Sequence, residues 1–599
     1  MTCEYRAHAL KLNRKNFEWL IFCILNPYIY NESDLKTKND CMSQSPDLIQ
    51  MPPSKAGKHP KGLYVLFFTE MWERFGYYLM VGILLLFLTD GSGKGLPRAM
   101  GTDVVGTFIA LVYLTPFIGG LIADRYLGYI KSIFIGGTLM AAGYLTIALP
   151  GEYTAYMSMG LIIIGNGFFK PNISTLLGNM YNREDLKPLK DNAYNIFYMG
   201  INVGAFFCNF IAAILRNRIG WQAAFSAAGI GLIIGLIALA INLKHIKAHD
   251  VKRPMQPGDM PTSKILGTVF LPMIIFAALG WIIPGNIFGS DSADAFMFAC
   301  VPVIVFYVNL WRKEKSDDKK GIGALLFVFA VSIIFWTIYN QNSTGLTIWA
   351  ESHTDRSIPK FMEAPADAVY TLQNLETKPQ LTDSLDSYMR VVTDDSGHAI
   401  KTMGPDPYFA NMPKDKWPAN GVAKVGNTEL FQSINPFFIV AFTPLLILFF
   451  AWRARRRKPI STASKFAWAL IISGLSALVM VFAVMSVPSI YTHKTSSIWL
   501  FLTYGIFTVS EICLSPIGLS FVSKLAPQRL TALMMGGWFI STSLGGKVAG
   551  VMASSWDNMH DKRIFFGIIA IAAILGGLLI FSKVKSLDKI VKDKTGSSV

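Results

Sequence analysis

Glu70-Met71-Trp72-Glu73-Arg74-Phe75-Gly76-Tyr77-Tyr78 stands inside the first long apolar segment of the chain, residues 62-88, and places three ionisable side chains where hydrocarbon tolerates almost none. A charge at the centre of a bilayer costs roughly 2.5 kcal/mol or more, so such a residue is expected to face a cavity or a partner and to mark a pathway. Glu70, Glu73 and Arg74 lie at i, i+3 and i+4, with Tyr77 and Tyr78 a turn further on. Two acids, a base and two aromatic rings therefore share about one helix face. The alternative is a permanent ion-paired cluster that only holds helices together.

Working outward, the rest of the chain reads as membrane protein. Of 599 residues 52% are hydrophobic and only 16% charged, an excess of apolar and a deficit of charged residues relative to a soluble protein. With about 20 residues to a span, the segments are 62-88, 102-123, 131-150, 154-177, 192-215, 222-243, 264-282, 294-311, 320-341, 434-452, 463-487, 497-522, 530-553 and 563-582. Fourteen is even, so both termini are expected on one side. Short basic loops stay in the cytoplasm, and the Lys- and Arg-rich ends and loops (Lys55 to Lys61, Arg125-Lys131, Arg183 to Lys190, Lys244 to Arg253, Arg312 to Lys320, Arg453 to Lys458 and the tail from Lys583) all fall on that side. Arg216 and Arg218 are the exception.

The net charge of +16 is spread over these loops rather than gathered in a soluble basic domain, which argues for lipid headgroups and against nucleic acid as the partner. Six cysteines without metal spacing imply neither a disulfide framework nor a metal site, and no cofactor motif is present. Residues 1-61 contain an apolar run, Phe17 to Leu25, too short to span and without a small-residue cleavage site. This extension is expected to be disordered and cytoplasmic, with Met42 or Met51 as an alternative start. About 90 polar residues between Gly345 and Leu430 exceed an ordinary connection. Within them Val391 to Thr393 and His398 to Ile400 flank Asp394-Asp395-Ser396-Gly397 as a hairpin, and Lys360 to Tyr370 is expected to form a short helix. Either a lid or a tolerated surface insertion fits.

Two further charges stand deep in spans. Lys170 closes Gly165-Asn166-Gly167-Phe168-Phe169-Lys170-Pro171-Asn172, where the proline loosens the helix ladder, and Glu511 lies in Val509-Ser510-Glu511-Ile512-Cys513-Leu514-Ser515-Pro516. A Lys170 to Glu511 bridge that forms in one conformation and breaks in another would serve as a gate; a permanent structural bridge is the other reading. Glu70, Glu73 and Glu511 against Arg74 and Lys170 leave one negative charge uncompensated, which one proton would cancel. All eight histidines fall outside the spans, so proton coupling is expected to run through the glutamates.

The run Glu70-x-x-Glu73-Arg74-Phe75-x-Tyr77-Tyr78 resembles the first-helix signature of the proton-dependent oligopeptide transporter family, a branch of the major facilitator superfamily. So, in order, do Tyr113-Leu114-Thr115-Pro116 with Ala123-Asp124-Arg125-Tyr126-Leu127-Gly128, Phe168 to Asn172, Ile196 to Asn202, Phe335-Trp336-Thr337-Ile338-Tyr339-Asn340-Gln341, Glu511-x-x-x-Ser515-Pro516-x-Gly518, and Met534 to Trp538. The resemblance implies an all-α membrane fold of two six-helix bundles with two extra helices between them. The division is then 1-61 extension, 62-243 first bundle, 244-319 linker with the extra pair, 320-344 first helix of the second bundle, 345-433 periplasmic insertion, 434-584 rest of that bundle and 585-599 cytoplasmic tail.

It also implies uptake of di- and tripeptides coupled to protons, through a cavity opening alternately to each side. Matching positions put Arg74 and Lys170 near the peptide carboxylate, and Glu511, Asn202 and Asn435 near its amino end; Ser515 belongs to the same lining. Tyr77, Tyr78, Tyr113, Trp336 and Trp538 suit adaptable side-chain pockets, with core packing as the alternative for each. Glu70, Glu73 and Arg74 are the proton-coupling set. Many members carry an arginine and an acid where this chain has Val81 and Asn340, so an outer gate is expected to use neutral contacts such as Asn340. The reading is a bacterial inner-membrane symporter with both termini cytoplasmic and a monomeric transport unit, not an enzyme. Its rivals are a same-fold transporter of nitrate, an amino-acid or sugar conjugate, a membrane-embedded transferase and a peptide sensor.

Overall fold

The computed structural model describes residues 58–251, 261–394, 399–456, 458–527 and 530–595. The expected disorder of the N-terminal extension and the starts at Met42 and Met51 lie outside them. Fourteen long helices match the fourteen expected segments: α1 (Lys61–Thr89), α2 (Arg98–Ile122), α3 (Tyr129–Thr146), α4 (Thr154–Met180), α5 (Lys190–Arg218), α6 (Trp221–Ile241), α7 (Ser263–Ile282), α8 (Asp291–Lys313), α9 (Ser316–Asn340) and, after two short helices α10 (Gly345–Ser352) and α11 (Lys360–Ala368), α12 (Ile434–Arg455), α13 (Thr462–Met485), α14 (Ile498–Leu525), α15 (Thr531–Ser554) and α16 (Lys562–Thr595). Eleven spans among the described residues are long and apolar enough to cross a membrane. The other three long helices, α3, α4 and α15, are more polar because glycines and hydroxyl residues occupy their packed faces.

Neighbour relations divide the helices into two equivalent halves. In the first, α1 packs on α5 and α6, α2 on α4, and α3 on α4 and α6; in the second, α9 packs on α15 and α16, α12 on α14, and α13 on α14 and α16. One pattern is thus used twice. The halves meet through α2 with α15 and α5 with α12, pairs that the same repeat makes equivalent, while α7 and α8 pack chiefly on each other. Small residues permit the close approach that replaces hydrophobic burial in lipid: a Cβ on Gly136 of α3 would stand 2.4 Å from Gly165 O of α4. Pro171 leaves Gly167 O without its usual donor, and that carbonyl lies against Gly119 of α2, where a Cβ would meet it at 2.0 Å.

The insertion is folded. β1 (Thr354–Asp355) pairs in parallel with β6 (Thr495–Ser496) from the α13–α14 connection, β2 (Leu372–Glu376) is antiparallel to β5 (Val422–Gly426), and β3 (Gln380–Asp383) to β4 (Lys401–Gly404). The expected short helix is α11. The arms of the expected hairpin also pair, Ile400 N donating to Val392 O at 2.8 Å, while its tip at 395–398 lies outside the described residues. Tyr408, Phe409 and Val425 form a small core of their own.

The insertion grips both halves. Asn217, at the end of α5, donates to Tyr370 O and Leu372 O at 3.1 Å each and to Asn427 Oδ1 at 3.0 Å. Arg216 pairs with Glu429 at 3.1 Å and stacks on Trp221, and Arg218 sits over Tyr370, so the two basic residues that broke the loop pattern are held by local partners. On the other side Trp349 of α10 is fully buried against His353, Trp556 and Phe566. Trp349→Ala is expected to cost about 3–5 kcal/mol, the range for emptying a large aromatic site, read as a lowered unfolding temperature of the purified protein.

Candidate transport site

The first-helix cluster is closed around Arg74. Its guanidinium donates to both oxygens of Glu73, Nη2 to Oε1 at 2.5 Å and Nε to Oε2, while Nε also stands 3.3 Å from Glu70 Oε1. Nη2 reaches Asn166 Oδ1 of α4 at 3.5 Å, and Asn166 in turn donates to Val112 O of α2 at 2.8 Å. Helices α1, α2 and α4 are thereby tied at one level. Glu70, Glu73 and Arg74 are all buried, and Glu70 Oε2 has no hydrogen-bond partner among the described residues. One arginine is thus shared by two acids, and the second acid is only half engaged.

Aromatic rings continue from this cluster. Arg74 lies 5.0 Å from the Tyr77 ring centroid, Tyr77 contacts Tyr78 and Tyr113 edge-on, and Lys170 Nζ sits 4.1 Å above Tyr113. Tyr77, Tyr78 and Val81 from the first half and Tyr339, Asn340 and Asn435 from the second line one cavity between the halves. Glu511 accepts from Asn435 Nδ2 at 2.8 Å, and the same amide reaches Thr508 at 3.0 Å. Trp336 contacts Tyr339 and Trp538 edge-on. Trp538 is packed tightly, its ring against Gly518, Phe329 and Phe466. Asn202 spends its amide on Tyr198 O of its own helix at 2.9 Å, and Ser515 is half-buried on α14.

The Lys170 to Glu511 bridge, expected to form in one conformation and break in another, is not formed in this one: Lys170 lies over Tyr113 and Glu511 is bonded to Asn435. The reason is the conformation, since side-chain bonds between the halves cluster at the insertion end. There Asn209 donates to Ser433 at 3.2 Å and Gln432 to Gly82 O at 3.2 Å. Closure there does not use neutral contacts alone. The neutral contact expected at Asn340 is thereby corrected: its side chain donates to Trp336 O of its own helix, at 2.7 Å, whereas Arg216 with Glu429, Arg98 with Asp557 and Lys547 with Asp103 are ion pairs between the halves.

Some residues of the site carry no signal in residue type: Asn166, which links Arg74 to α2, is a neutral amide in a glycine-rich run. Asp103 and Lys547 lie inside spans near their ends, where a charge reads as loop. They cancel each other.

Two equivalent helical halves meeting around a buried cluster of charges define a secondary transporter of the major facilitator type. The sequence pattern of the POT family matches residues 130–375 and 423–569, and the chain belongs to that family of proton-dependent oligopeptide transporters. Among its relatives are the "Uncharacterized transporter YclF" of Bacillus subtilis, 30% identical over 87% of this chain and 93% of the relative, and a "Di-/tripeptide transporter" of Lactococcus lactis subsp. lactis, 28% identical over 89% and 97%. Among solved structures, the crystal structure of a peptide transporter POT in complex with sulfate superposes with a TM-score of 0.67 at 27% identity, covering 89% of this chain and 96% of the other.

Proposed function

We propose that the chain is a proton-coupled symporter that imports di- and tripeptides by alternating access. The observation that carries this reading is the pairing of one buried arginine, Arg74, with two acids, of which Glu70 keeps an oxygen unpartnered. A surplus carboxylate in low dielectric is stable only when a proton or a cation neutralises it. A peptide carboxylate arriving at Arg74 and Lys170 competes with Glu70 and Glu73 for the same guanidinium. Protonation of an acid then frees Arg74 for the cargo, and binding of cargo favours protonation. That reciprocity is coupling.

Glu511, held by Asn435 of the cavity wall, offers the negative charge, and Asn202 an amide oxygen, that a peptide amino group needs. Fixed charges at the two ends and aromatic surfaces between them, from Tyr77, Tyr78, Tyr113, Trp336 and Trp538, suit short peptides of many sequences. The division at 62-243, 244-319 and 320-584 follows the two halves and the interposed pair. The insertion at 345-433 is assigned to the periplasmic side of a bacterial inner membrane, both termini to the cytoplasm, and the transport unit to a single chain. The structure's closed end then faces outward, and Lys170 and Glu511 pair when the inner end closes.

Liposomes containing the purified protein are expected to accumulate labelled dialanine severalfold above equilibrium under an inward acid gradient, and only to equilibrate without one. Equal accumulation with pH and voltage matched would sink the coupling. Indifference to dialanine alongside uptake of nitrate or a sugar conjugate would reassign the cargo.

A further inference from the structure

At the closed end a second buried charge cluster joins three bodies rather than two. Lys547 of α15, fully buried, donates to Asp103 Oδ1 and Thr107 Oγ1 of α2 at 2.7 Å each and to Ser292 Oγ of α8 at 2.8 Å. Ser292 Oγ also donates to Asp103 Oδ2, so the serine closes a ring of contacts between the lysine and the acid. Asp294, the neighbouring acid on α8, is not the lysine's partner because its oxygens accept from Ile287 N at 2.8 Å and Phe288 N at 2.6 Å. All three donor positions of the ammonium are filled, two by α2 across the interface and one by α8 of the interposed pair.

We propose that Lys547, Asp103 and Ser292 form the ionic latch of the outer gate, and that the interposed helices α7 and α8 are a working part of it. The inference rests on the alternating-access reading above. Opening the outer end must separate α2 from α15, because these helices touch backbone to backbone at the latch: a Cβ on Gly106 would stand 2.6 Å from Gly550 Cα. Separation breaks the Lys547 to Asp103 bonds and wets both charges. A buried pair stripped of one member leaves an uncompensated charge in the closed state, while the same charge is hydrated once the vestibule opens. Loss of either partner therefore penalises closure more than opening. Ser292 extends this to α8: when the pair parts, the serine can follow only one partner, so the interposed helices move with one half and bias the gate.

The test uses the full chain in proteoliposomes, in a background without the native cysteines, with spin labels at the exposed Glu152 and Thr492 at the outer ends of the two halves. Lys547→Met and Asp103→Asn are each expected to raise the long-distance population about tenfold, and the exchange Asp103→Lys with Lys547→Asp to restore the original distribution. Ser292→Ala is expected to shift it the same way by a smaller factor. An unchanged distribution in both single variants overturns the latch, as does an exchange that fails to restore it. No shift in Ser292→Ala overturns the role of the interposed helices. The exchange pair keeps both charges and serves as the folded control. The distance readout needs no cargo, so failure of wild-type dialanine uptake would sink the peptide reading and leave the latch to be judged on its own.

Discussion

Glu73→Gln is expected to abolish acid-driven accumulation of dialanine while exchange of labelled for unlabelled peptide across the membrane partly survives. Glu73 is fully buried and receives two donors of Arg74, whereas Glu70 approaches only through Oε1. An amide keeps the shape and one acceptor but can neither carry the charge nor release a proton. Arg74 then turns to Glu70, and its charge stays balanced without any proton entering the cycle. The binding site persists and the gradient no longer drives it. A fall of at least about a hundredfold in concentrative uptake, the lower end of the range for loss of a proton-transferring group, with exchange reduced only severalfold, is the expected pair of results. Equal loss of both would remove Glu73 from coupling and make it a structural clamp on Arg74.

Gly106→Leu is expected to have an effect of similar size for a steric reason. The nearest atoms to a Cβ there are Gly550 Cα at 2.6 Å, Gly550 N at 3.1 Å and Gly546 O at 3.2 Å, all main chain that cannot swing aside. Only separation of α2 from α15 can accommodate the side chain. Overpacking of this kind costs about 1–3 kcal/mol or more, and the outer-open conformation escapes it. The variant is expected to be trapped with its outer end open, to show the longer label distance and to lose both net uptake and exchange. Gly160→Leu, at a position with open space around it, is the matching control and is expected to keep uptake. Retained transport by Gly106→Leu would show that the two helices need not meet during the cycle.

The fourteen spans were legible because each is a block of apolar residues about as long as a bilayer is thick, and loop charge gave their alternation. Glu70, Glu73 and Arg74 were legible because their spacing fixes one helix face whatever surrounds it. The junction between the halves was not. Gly106 and Gly550 carry no apolar pattern, and Asp103 and Lys547 become partners only once the two halves are docked. Lys170 and Glu511 show the complementary limit: their opposite charges pointed to a bridge, but which of two conformations the chain adopts is not written in residue types.

Asn217 holds the 345-433 segment through the main-chain oxygens of residues 370 and 372, not through their side groups. The two bonds therefore survive any change of side chain at 370 or 372, although the Tyr370 ring also carries Arg218 and Leu372 is buried. A change at Asn217 itself removes the shared donor.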